Sequence, residues 1–162
     1  MLFGKSILIC LLFLFLLPAI SGAANRIVIE NNETESFNVP SFLYIFEDTE
    51  NKYKAEQVIL AIDDNKFKLN KSSDVNFGFT KSAVWIKFTI INNTEKEKNL
   101  VFGLSYPLID EIDFYELKGY NLQRTIFTGE TRNFNTRDVA HRVFLFVLVL
   151  EPNVEYTDLI RE

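Results

Sequence analysis

The sequence predicts an all-β fold, a sandwich or barrel of short strands carrying one short helix. Three observations carry this reading. From Val84 onward, Val84, Ile86, Phe88 and Ile90 alternate with Trp85, Lys87 and Thr89, the period-two pattern of a half-buried strand. Further short runs of the same kind recur at near-regular spacing between polar turns, which favours a sandwich or barrel over a parallel α/β sheet. Only Lys54 to Ala61 places apolar residues at helical spacing, with Ala55, Val58, Ile59 and then Ile62 on one stripe.

The chain opens with a leader. Met1 to Ser6 holds the single charge Lys5, Ile7 to Leu17 is wholly apolar, Pro18 breaks the run, and Ser21, Gly22, Ala23 and Ala24 follow. A charged start, a short apolar stretch and small residues before the cut are what signal peptidase requires. Cleavage after Ala23 uses Ser21 and Ala23; cleavage after Ala24 uses Gly22 and Ala24. A membrane span takes roughly 20 apolar residues, about twice this run. Residues 1–23 are therefore expected to be a signal peptide, with Cys10 as apolar filler.

Residues 24–40 read as an N-terminal arm with one short strand at Arg26 to Glu30, and residues 41–162 as one domain. Phe42 to Phe46 is aromatic and apolar and ends in the polar set Glu47 to Asn51. The helix closes at Asp63-Asp64-Asn65. Calcium is the sharper reading of those carboxylates, but the segment lacks the alternating oxygen ligands, the glycine and the distal glutamate of a calcium loop, so a solvated turn is expected. After the Val84 strand, Asn92 to Asn99 is a polar connection. Leu100, Phe102, Leu104 and Tyr106 alternate with Val101, Gly103 and Ser105 until Pro107. Ile112 and Phe114 alternate with Asp113 and Tyr115. Lys118-Gly119-Tyr120-Asn121 suits a tight hairpin turn, and Leu122 to Phe127 returns. Arg142 to Leu150 is apolar on both parities, as expected of a central strand covered on both faces.

Charge and residue inventory exclude several functions. Loss of Lys5 with the leader takes the formal net charge from −5 to −6. An acidic domain is a poor partner for nucleic acid, which needs a clustered basic face, and for anionic lipid. With Cys10 removed no cysteine remains, so disulfides and thiolate metal sites are excluded. His141 is the single histidine, which leaves no histidine pair for zinc, and there is no nucleophile-elbow glycine motif. The acids Asp110, Glu111 and Asp113 read as solvated charges rather than a glycosidase pair. The expectation is a non-enzyme without cofactor.

Strand parity then marks one face. With Val84, Ile86, Phe88 and Ile90 turned to the core, Trp85 points the other way beside Lys87 and Thr89. If the next two strands lie alongside, Gly103, Ser105, Asp113 and Tyr115 join them. Aromatic side chains flanked by a few polar groups suit sugar rings and other flat ligands. The competing reading is that a loop or the N-terminal arm covers Trp85. A second polar concentration, Gly129 to Arg142, holds Arg132, Arg137, Arg142 and His141, suited either to carboxylate recognition or to pinning the loop.

Several stretches carry a family likeness: Phe42-Leu-Tyr-Ile-Phe-Glu-Asp-Thr-Glu50, Asn76-Phe-Gly-Phe-Thr-Lys-Ser-Ala-Val-Trp85 to Ile90, Leu104-Ser-Tyr-Pro-Leu-Ile-Asp-Glu-Ile-Asp-Phe-Tyr115, and Gly129-Glu130 through Phe134, Arg137, His141 and Phe144. In order and spacing they resemble the type 2 extracellular domain of bacterial seven-transmembrane receptors with diverse intracellular signalling modules (7TMR-DISM), over roughly residues 42–155. The resemblance implies a jelly-roll-like β-sandwich outside the cytoplasm, a ligand-sensing role with carbohydrate-like or other small organic ligands, and a membrane receptor as partner. It places Trp85, Lys87, Tyr106, Arg137 and His141 on family motif positions. The expected last strand begins at Asn153 to Thr157, but Asp158 to Glu162 closes the sequence, so that strand reads as incomplete and a sheet edge or core slot as open. The reading on this basis is a sensor module without membrane or output segments, acting alone or left from a receptor. The alternative is a protein-interaction or adhesion module.

Overall fold

The computed structural model describes residues 25–31, 39–62, 65–73, 75–78 and 80–162. The leader, most of the arm and the two carboxylates Asp63 and Asp64 lie outside the described residues.

Two sheets of unequal size make an all-β sandwich. The strands among the described residues are β1 (Ile27–Ile29), β2 (Tyr44–Asp48), β3 (Lys68–Leu69), β4 (Ala83–Asn92), β5 (Lys98–Leu104), β6 (Ile112–Lys118), β7 (Asn121–Thr128), β8 (Phe144–Leu150) and β9 (Glu155–Arg161), with the α-helix α1 (Ala55–Leu60). The large sheet runs β3-β2-β4-β9-β6-β7, while β5 and β8 form the second sheet. Along one edge of β4, β2 pairs antiparallel with the first half and β1 parallel with the second. The β6–β7 hairpin turns at Gly119, whose φ of 61° suits the glycine-first two-residue turn that matches strand twist.

Alternation decides the core. Val84, Ile86, Phe88 and Ile90 of β4, Ile112 and Phe114 of β6 and Ile160 of β9 meet Phe144, Phe146, Leu148 and Leu150 of β8 between the sheets. Phe88 stacks on Phe102 at 4.7 Å and Phe114 on Phe146 at 4.5 Å, joining the sheets ring to ring. The opposite face of the large sheet carries its own apolar cluster. Trp85, Tyr115, Leu117 and Leu159 pack beneath Val58, Ile62 and Phe67 of the α1 region.

Three expectations change here. The β8 segment is not a central strand: among the described strands it pairs only with β5, and its outward residue Val149 is 44 % exposed. Its apolar residues on both parities leave one face toward solvent. β5 lies in the second sheet rather than beside β4, so Gly103 and Ser105 do not share the Trp85 face. The open slot expected near the end of the chain is filled by β9, which pairs with β4 on one side and β6 on the other.

Candidate functional site

The outer face of the large sheet is organised in rows. Register places Phe46, Trp85, Arg161, Asp113 and Phe127 in one line across β2, β4, β9, β6 and β7. The next row is Tyr44, Lys87, Leu159, Tyr115 and Thr125. Of the predicted residues, Trp85, Lys87, Asp113 and Tyr115 therefore do share a face. Their accessibility differs from expectation. Trp85 is 0 % exposed, stacked against Tyr115 with ring centroids 6.4 Å apart and roofed by the α1 cluster. The covered-Trp alternative is the arrangement seen. Lys87 donates from Nζ to the Ile62 carbonyl at 2.6 Å and sits over the Tyr44 and Phe67 rings, tying the sheet to the chain that leaves α1.

The β6–β7 half of the row reaches solvent. Arg132 Nη1 donates to Asp113 Oδ1 at 2.7 Å and lies within reach of the Ile112 and Thr128 carbonyls, while its Nη2 approaches Glu111 at 3.3 Å. Arg161 sits 3.5 Å from the other Asp113 oxygen and over the Trp85 ring. Asp113 thus holds two guanidinium groups in fixed orientation. Beside them Phe127 is 53 % exposed, with the Arg132 guanidinium 5.6 Å from its ring centre and the Tyr115 ring edge-on at 6.2 Å. Burial, and then the negative charge of Asp113, push the Tyr115 hydroxyl up to about 12, so it keeps its proton at neutral pH. An exposed ring bounded by preset donors and one carboxylate can stack a flat or puckered ring and orient its hydroxyls or carboxylate.

Arg137 and His141 stand elsewhere, in the loop between β7 and β8. The Arg137 side chain is 7 % exposed and lies between the Phe134 and Phe144 rings at 4.8 and 4.3 Å. It donates to the His141 and Arg142 carbonyls. His141 turns its Nδ1 inward to accept from the Val143 N–H. Both residues fasten this loop to itself, the pinning alternative weighed from sequence. Tyr106 is 58 % exposed in the connection after β5, off the rows described.

Sequence reasoning missed Arg161 and Phe127. Phe127 shares strand parity with Thr125, opposite Ile126, a signal present once β7 pairs with β6. Arg161 lay in the tail read as an incomplete strand. Among the described residues, no group of three or more His, Cys, Asp or Glu side chains is placed to hold a metal ion. No helix among them is long and apolar enough to cross a membrane.

No curated protein matches the chain. The family model for the 7TMR-DISM extracellular 2 domain matches residues 40–161, from the turn before β2 to the end of β9. That span takes in α1, both sheets apart from β1, and the whole Asp113 row. The chain belongs to the 7TMR-DISM extracellular 2 family, extracellular sensor domains that are generally not enzymes.

Proposed function

We propose that this protein is a periplasmic ligand-binding sensor module for carbohydrate-like or other small organic molecules, seated on the Phe127 end of the Asp113 row. The observation that supports it is an exposed aromatic ring set beside the Arg132–Asp113–Arg161 array, whose polar groups are already oriented. Orientation in advance lowers the ordering cost of binding. The position of the array on the large sheet, whose centre is β9, gives a bound ligand a rigid seat from which a membrane receptor partner reads occupancy.

A panel of neutral sugars, acidic sugars and small carboxylates, screened by thermal shift on the purified protein, tests this. At least one class is expected to raise Tm, and Phe127→Ala to abolish that rise while leaving the ligand-free Tm within about 2 °C, since a half-exposed side chain contributes little to stability. A ligand shift that survives Phe127→Ala places the seat elsewhere. Export completes the reading: intact-mass analysis of protein recovered from the periplasm is expected to show loss of residues 1–23 or 1–24. Recovery of the uncut chain would count against a cleaved leader.

The interaction-module reading keeps one supporting observation. The outer face of the short sheet exposes Val101 (61 %) and Val149, and β5 has no second neighbour among the described strands.

A further inference from the structure

A second row, on the inner face of the large sheet, sets ionisable groups beside the apolar core. Phe88, Asp158, Glu116 and Arg124 stand in register across β4, β9, β6 and β7. Asp158 is completely buried, and neither of its carboxyl oxygens has a hydrogen-bond partner among the described residues. Its cross-strand neighbour on β4 is Phe88, which stacks on Phe102 of β5, itself packed against Phe146 of β8. The titratable groups nearby are Glu116, Arg124, Asp138 beyond it, and Tyr156 two residues back on the same face of β9.

Arg124 is the joint of this row. Its Nη2 donates to the Val147 carbonyl on the free edge of β8 and approaches Glu116 at 3.4 Å, and its Nη1 reaches Asp138 at 3.2 Å. Asp138 in turn accepts from the Val147 N–H at 2.8 Å. The large sheet and the short sheet are thereby clasped through one guanidinium. That guanidinium keeps a buried Nε–H without a partner. An unpartnered buried donor and an unpartnered buried carboxyl group stand in the same row, with three carboxyl groups sharing one positive charge.

We infer that this row is a proton-controlled clasp: Asp158 is held as the neutral acid, and loss of its proton draws Arg124 toward it and releases β8. Burial in the absence of donors disfavours the carboxylate. Burial and then the Glu116 charge hold the Asp158 carboxyl well above the usual range, against the pull of Arg124, and burial raises Glu116 as well. In the unfolded chain an aspartate loses its proton near about 4. Between that pH and the raised folded-state value the folded form therefore holds up to one more proton than the unfolded form. Asp158 favours folding fully only below the unfolded value, and its contribution falls as pH rises toward the folded value.

Urea unfolding followed by the fluorescence of Trp85, the single tryptophan, tests this between pH 5 and 8. The folded-to-unfolded ratio of the wild type is expected to fall as pH rises, by at most about tenfold per pH unit, relative to Asp158→Asn. Hydrogen exchange at Val147 is expected to quicken with pH in the wild type beyond the intrinsic rate, and not in the variant. Parallel pH profiles for the two proteins overturn the inference. If Asp158→Asn does not fold, a carbon-13 titration of the wild-type aspartate carboxyls decides: one aspartate still protonated at pH 7 supports the clasp, and complete ionisation of all aspartates by pH 5.5 overturns it.

Discussion

Trp85→Ala is expected to destabilise the domain by about 3 to 5 kcal/mol, the range for truncating a fully buried large aromatic. The loss has two parts. The indole leaves a cavity between Tyr115 and the α1 cluster, and the roof of Val58, Ile62 and Phe67 loses the surface it rests on. Chemical denaturation followed by circular dichroism reads the first effect. Hydrogen exchange over residues 55–60 reads the second, because a helix of six residues has little stability apart from its packing. Trp85→Phe should recover much of the loss. A Trp85→Ala variant of unchanged stability would mean that the indole is not a core group, and the α1 roof would have to be reconsidered as a cover over a ligand seat.

Gly129→Ala is expected to be nearly as severe, on the order of 3 kcal/mol, from a single methyl group. Gly129 has φ of 140°, a conformation that L side chains rarely adopt, and a Cβ there would stand 2.2 Å from the Asp110 carbonyl oxygen. The obstacle is backbone and cannot swing aside. The neighbouring bonds Glu130 N–H to Ile109 O and Thr131 N–H to Asp110 O show why the approach is so close: the chain leaving β7 is laced to the chain entering β6. Arg132 begins three residues later, so the same substitution should displace the guanidinium from Asp113 and weaken any ligand binding at Phe127. Thermal denaturation together with the ligand shift measures both. A variant with wild-type Tm would show that this lacing gives way readily.

Much of the fold was legible because it depends on local pattern. The alternation in β4 and β6, the Gly119 turn and the apolar stripe of α1 are each written within about ten residues. What alternation cannot state is which strands become neighbours. Gly103 and Ser105 were assigned to the Trp85 face by assuming that β5 follows β4 into one sheet; β5 instead crosses to the other. Trp85 looked open because one strand shows two faces but not what covers the second. The covering residues Val58 and Ile62 were read as a helix without a place to dock. β9 was expected to begin at Asn153 to Thr157 but was read as incomplete, and its composition does little to correct that. Asp158 occupies an inward position between Tyr156 and Ile160, and a carboxyl group there breaks the apolar parity that marks a buried strand. The residue that obscured the strand is the one on which the proposed clasp turns.

The central place of β9 also fixes when the molecule can be assembled. Its partners, β4 and β6, are made well before it, and during synthesis they wait with the edges that should meet it unpaired. The β6–β7 hairpin and the β2–β4 pair can form as separate pieces, but no strand pairing joins them until Glu155–Arg161 arrives and zips into both. Pairing between segments so distant in sequence is slow. The large sheet therefore stays open until β9 is made. Late closure of the large sheet is thus written into the strand order.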